Sequence, residues 1–229
     1  MDWTALKLSL QLAGLTVAVL LPLGLWLGRW LARSRARWKI WVEAALLLPL
    51  VLPPTVLGYY LLVGLGNASP LGQWAQQVLG VSLSFSFTGL LLASLVFNLP
   101  FALQPLQRAY ENVPHSLHEA ALVCGLSAWE RFIRVDIPLV WPGIMSAAVM
   151  TFAHTLGEFG VVLMVGGSIP GETQTIAIAI YDRVQAFDNH GANVMSLTLL
   201  LISLLAIATS LLTAQRMRRQ PAGSGQEPA

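Results

Sequence analysis

Between Ala44 and Gln107 the chain runs for 64 residues without a single Lys, Arg, Asp or Glu. A soluble domain carries roughly 25% charged residues, whereas this chain carries 10% and is 55% hydrophobic. The run therefore belongs in a bilayer, and it is too long for one crossing. Asn67–Ser84, with its Asn, Ser, Gln, Pro and Gly residues, divides it. One span is expected at 44–66 and another at 85–106. Pro49, Pro53 and Pro54 lie in the first of these. Prolines at that density must break or bend the helix, and the freed carbonyls then need other partners.

The remaining apolar runs complete an all-α integral membrane protein with five spans. Leu8–Gly28 has 21 uncharged residues, roughly 31 Å of helix against a bilayer core of about 30 Å. The others are expected at 139–165 and 194–214. Asp2 and the lack of an early basic residue argue against a cleaved signal peptide, so the first run reads as a retained span. A short interfacial helix is expected within 175–186, and disorder in the tail 215–229. Of the 13 Lys and Arg residues, 11 fall on one side of this topology, leaving Lys7 and Arg183 on the other. The positive-inside rule then places the N-terminus outside and the C-terminus in the cytoplasm. Most tryptophans, among them Trp3, Trp30, Trp38, Trp41, Trp74 and Trp141, fall near span ends as interfacial anchors.

One long polar island interrupts the apolar pattern. Arg108–Asp136 holds seven of the 24 formal charges. Two capping boxes are expected there, Ser116 with Glu119 and Ser127 with Glu130. Gly125 can close the first short helix and Pro138 can stop the second. Two capped helices between spans, on the cytoplasmic side, offer a surface to another protein.

The chain offers little for catalysis. Neither lysine, Lys7 or Lys39, follows a glycine, so there is no phosphate-binding loop. The single cysteine, Cys124, allows no intrachain disulfide and reads as a small packing residue. A net charge of +2 is too small to point to nucleic acid. His154 and Glu158 stand four apart on one helix face. They can be a buried hydrogen-bonded pair, part of a pathway lining, or a membrane-embedded metal or proton site of an intramembrane enzyme.

The island also carries a resemblance. Glu119-Ala120-Ala121, three residues, Gly125, nine residues, then Val135-Asp136-Ile137-Pro138 is similar to the Glu-Ala-Ala loop of type I ABC importer permeases, with Val135 and Ile137 as mild departures. The resemblance covers about residues 8–212. Leu48–Tyr59, Leu156–Gly160 and Ile169–Thr175 make it most similar to the molybdate group of that family. Ala186-Phe187-Asp188 keeps a sulfate alternative open, and Leu156–Gly160 is shared with sulfate and tungstate permeases. The resemblance implies a transport subunit rather than an enzyme, in the bacterial inner membrane, pairing with itself. It implies a 108–138 loop that couples to two separate ATPase subunits, which hold the ATP and magnesium while this chain holds no cofactor. It also implies a periplasmic binding protein delivering an oxyanion. A dianion prefers hydroxyls and amides to carboxylates, so Asn98, Ser146, Thr151 and Thr155 are candidate path residues. Glu158 is a candidate gate residue. Each hydroxyl can equally bond back to its own helix.

Overall fold

In the computed structural model, residues 1–78 and 80–218 are described, and every regular element among them is a helix, with no strand. The first helix, α1, covers Trp3–Arg33. It outruns the expected 8–28 at both ends because Asp2 caps it, accepting from the Ala5 N–H at 3.0 Å, and because arginines continue a helix as readily as apolar residues do. Its buried positions, including Ser9, Leu12, Ala13, Thr16, Leu20, Gly24, Gly28 and Leu31, recur every three or four residues. This narrow stripe of mostly small residues suits close helix packing in lipid.

The expected span at 44–66 is two helices, α2 (Lys39–Val51) and α3 (Pro54–Leu65), bent by 110°. Leu52 and Pro53 are extended between them, so the proline cluster breaks the helix rather than merely curving it. A short α4 (Pro70–Val78) leads to α5 (Phe87–Glu111), which is capped by Ser86 and lies against α1. The polar island holds α6 (His115–Val123) and α7 (Ala128–Arg131). A π-helical turn, Phe132–Asp136, then runs directly into α8 (Ile137–Gly157).

The expected span at 139–165 ends early. Glu158 is extended at the end of α8, and a separate α9 (Gly160–Gly166) follows. The expected interfacial segment is the helix α10 (Ile176–Gln185). The last helix, α11 (Asn189–Arg218), is longer than 194–214. It absorbs the start of the tail expected to be disordered, while residues 219–229 lie outside the described ones. Among the described residues four helices are long and apolar enough to cross a membrane, and the α2–α3 pair makes up to five spans.

The core is a layered bundle in which α5 packs on both α1 and α8, α3 on α9, and α11 on α8 and α10. Where α5 meets α8, a β-carbon on Gly143 would sit 2.5 Å from Ala109 Cβ and 3.0 Å from the Pro105 carbonyl, so only glycine permits that approach. Polar bonds pin the helices as well. Thr16 donates to Ser94 at 3.1 Å, and the Ile176 N–H donates to the buried Ser9 hydroxyl at 2.8 Å.

Candidate functional site

The island is a rigid hairpin of short helices. Ser127 and Glu130 form the expected capping box. Ser127 Oγ accepts from the Glu130 N–H at 3.3 Å, and Glu130 Oε2 accepts from the Ser127 N–H at 2.9 Å. The Ser116 and Glu119 box does not form. The helix α6 starts earlier, at His115 behind Pro114, with no side-chain cap, so Ser116 already lies inside its first turn. Gly125 makes the turn between α6 and α7 at φ 76°, in the left-handed region that glycine reaches without strain.

Pro138 does not stop a helix. It sits in the first turn of α8, where a missing N–H costs nothing. The wide π turn before it supplies that start while the chain stays helical. Glu119, Ala120, Gly125 and Pro138 are exposed, Val135 and Ile137 are half-buried, and Ala121 is buried. Beside them Leu117, Leu122, Val123 at 89% exposure and Trp129 at 67% form an apolar patch. Cys124 is exposed in the same patch rather than packed.

The hairpin is tied to the bundle by one buried carboxylate. Asp136 is fully buried. Arg33 Nη2 donates to its Oδ1 at 2.8 Å, and Arg29 Nη2 forms an ion pair with Oδ2 at 2.9 Å. His118 Nε2, from α6, also reaches Oδ1 at 2.8 Å and touches the Arg33 guanidinium. Arg29 lies 5.2 Å above the Phe132 ring. Thus α1, α6 and the π turn meet at one point. Nearby, Gln107 donates to Glu43 at 2.9 Å and to Glu111 at 3.0 Å, fastening α2 to α5. Sequence reasoning treated these arginines only as topology signals. The clue it missed was their spacing, Arg29 and Arg33 on one helix face, with a lone acid among the apolar residues at 135–137.

A second polar cluster lies at the far end of α8. Asn98 stands between His154 and Glu158, which do not touch each other. Its Oδ1 is 2.8 Å from His154 Nδ1, and its Nδ2 lies 3.2 Å from Glu158 Oε2 and 2.9 Å from the Ser94 carbonyl. The His154 ring stacks on Phe101 at 3.8 Å and leans on Phe97 at 5.1 Å. Among the described residues no three His, Cys, Asp or Glu side chains converge as metal ligands. The two side chains are therefore linked through Asn98 rather than bonded to each other. Thr155 bonds back to the Thr151 carbonyl at 2.7 Å, and Thr151 Oγ1 and Glu158 Oε1 are buried without a partner.

Three cavities line up along these helices. One of about 530 Å³ lies between α5 and α8 and is bounded by Leu50, Phe101, Gln104, Arg108, Asn112 and Ser146 among others. One of about 430 Å³ is bounded by Pro54, Phe97, His154, Glu158 and Phe159. A narrow one of about 120 Å³ shares Leu50 and Phe101 with the first and Pro54, Phe97 and His154 with the second. The stacked ring of His154 lines both the narrow cavity and the chamber at Glu158. Of the expected path residues, Ser146 and Glu158 line these chambers, whereas Asn98, Thr151 and Thr155 are buried in the packing behind them.

Comparison with known proteins agrees with this geometry. Residues 21–219 match the family described as binding-protein-dependent transport system inner membrane component. The chain is 45% identical over 206 residues to the molybdenum transport system permease protein ModB of Azotobacter vinelandii, covering 90% of this chain and 91% of that one. It is 36% identical over 225 residues to ModB of Escherichia coli K12, covering 97% of each. In fold it is similar to a bacterial alginate ABC transporter crystallised with an alginate-bound periplasmic protein, with a TM-score of 0.75 at 16% identity, covering 94% of this chain and 79% of that one. The chain therefore belongs to the inner-membrane components of binding-protein-dependent transport systems.

Proposed function

We propose that this chain is the permease subunit of an ATP-driven molybdate importer and that two copies enclose the anion pathway. The observation that carries the reading is the hairpin at 115–131. An exposed apolar patch around Val123 and Trp129, on a motif with the Glu119–Pro138 spacing, is fixed to α1 through Asp136. The hairpin faces the cytoplasm, where such a patch cannot be covered by lipid and needs a protein partner. That partner is one ATPase subunit per copy, and ATP and magnesium reside there. The N-terminus lies outside and the C-terminus inside.

Movement of the ATPases shifts the hairpin, and the Asp136 junction carries that shift into α1 and α8. A ligand acts on such a two-state element only through its different affinity for the two states. A periplasmic binding protein delivers the anion to the chamber at the Glu158 end. Asn98 holds Glu158 and His154 in place, and the narrow aromatic-lined cavity shares walls with both chambers. Thr151 and Thr155 support that wall, while Ser146 faces the inner chamber.

The test is ATP-dependent uptake of molybdate, tungstate and sulfate by the complex reconstituted with its ATPase and binding protein. Molybdate uptake that stops when Gly125 is replaced by Pro, with the complex still folded, is the expected result. Sulfate uptake at equal or higher affinity overturns the choice of anion. Undiminished uptake by Gly125→Pro overturns the coupling role of the hairpin.

A further inference from the structure

We infer that the chamber between α5 and α8 holds an oxyanion site centred on Arg108, with Gln104, Asn112 and Ser146 as its neutral partners. The inference rests on the transport reading above and adds a ligand site to it. Gln104 and Arg108 are spaced four apart on one face of α5, and Asn112 is the residue that caps its end. That face lines the largest of the three cavities, and Ser146 lies across it on α8. No Asp or Glu lines this chamber, in contrast to the one at Glu158.

Arg108 makes no ion pair or side-chain hydrogen bond among the described residues. The nearest acid along α5, Glu111, takes the Gln107 amide instead. The other arginines of the same end, Arg29 and Arg33, are committed to Asp136. Arg108 is thus an exposed guanidinium at the wall of the cavity with no side-chain partner among the described residues. A guanidinium presents a planar fork of donors that matches two oxygens of a tetrahedral anion. Amide and hydroxyl groups beside it complete a shell without adding charge, which permits release as well as capture. An arginine kept only to set topology needs no such neighbours.

The experiment measures equilibrium binding of molybdate, with sulfate as a competitor, to the nucleotide-free complex of this chain and its ATPase, without the binding protein. Uptake by the same complex is followed in proteoliposomes. The expected result is weak binding that falls as ionic strength rises. It should drop at least tenfold in Arg108→Gln, drop less in Asn112→Ala, and be largely retained in Arg108→Lys. Binding is compared only between complexes that assemble with the ATPase, and both residues precede the 115–131 hairpin. Wild-type binding by Arg108→Gln, or a wild-type complex that transports molybdate but binds none in this state, overturns the site and leaves the transport reading standing. A wild-type complex that neither binds nor transports an oxyanion overturns both.

Discussion

The helix α8 has a buried carboxylate at each end, and the two are held in opposite ways. Asp136, just before its first residue, meets two guanidiniums and an imidazole drawn from α1 and α6. Glu158, just after its last residue, meets a single amide from Asn98 and keeps one oxygen unpartnered. Two guanidiniums from one helix and an imidazole from another make a carboxylate a junction that is costly to open. One neutral donor makes it an element that can exchange partners at little cost. The first end suits force transmission from the hairpin, and the second suits a wall that must rearrange around a passing anion.

The largest effect is expected at the junction. Asp136→Asn leaves two guanidiniums facing a neutral amide. Breaking a buried pair is worth roughly 3–5 kcal/mol, reduced here to about 2 kcal/mol because both arginines are partly exposed to solvent. Thermal unfolding of the purified complex reads this, and an unchanged midpoint would mean that Asp136 is no strut. Next in size is Asn98→Ala, which strips Glu158 and His154 of their shared partner and should cost about 1–3 kcal/mol. If it proves as damaging as Asp136→Asn, the two ends are not held differently.

Glu158→Gln should be milder, about 1 kcal/mol or less, since an amide of the same shape can still bond to Asn98. Uptake should respond more than stability does, and a large loss of stability with normal uptake would contradict the soft end. The smallest effect lies outside the membrane, where Asp188 accepts from the Gly191 N–H and from Arg183. The Gly191 bond first, and Arg183 after it, hold this carboxyl below its ordinary value of 3.8. A depressed pKa stabilises the loop above the ordinary value, and that contribution disappears as pH falls through the folded pKa. Hydrogen-exchange protection across 183–191, taken relative to the intrinsic rate at each pH, should therefore hold down to about pH 4 and fall only below it. The Asp188→Asn variant should lack that acid step.

Helix existence was largely readable from the sequence, because uncharged runs of 20 or more residues leave few alternatives in a bilayer. The break at Pro53 was readable from proline chemistry, and the turn at Gly125 from the need for a left-handed residue. The capping box at Ser127 was readable for the same local reason. At Ser116 the same four-residue pattern misled, because Pro114 starts the helix first. What stayed hidden depends on distant partners. Asp136 finds Arg33 across 103 positions, and Asn98 finds Glu158 across 60. The break after Gly157 was hidden too, since the apolar run continues past it into α9.

The π turn at Phe132–Asp136 sets an angular phase. Each residue of an α-helix advances the chain by about 100° and 1.5 Å, and a π turn inserts one residue into that count. Removing a single residue from 132–136 would restore an ordinary helix while turning all of α8 like a screw beneath the hairpin. Ser146 would leave the inner chamber, and Gly143 would leave the one place where α5 allows close approach. In this chain the length of one irregular turn decides which face of a membrane helix looks onto the pathway.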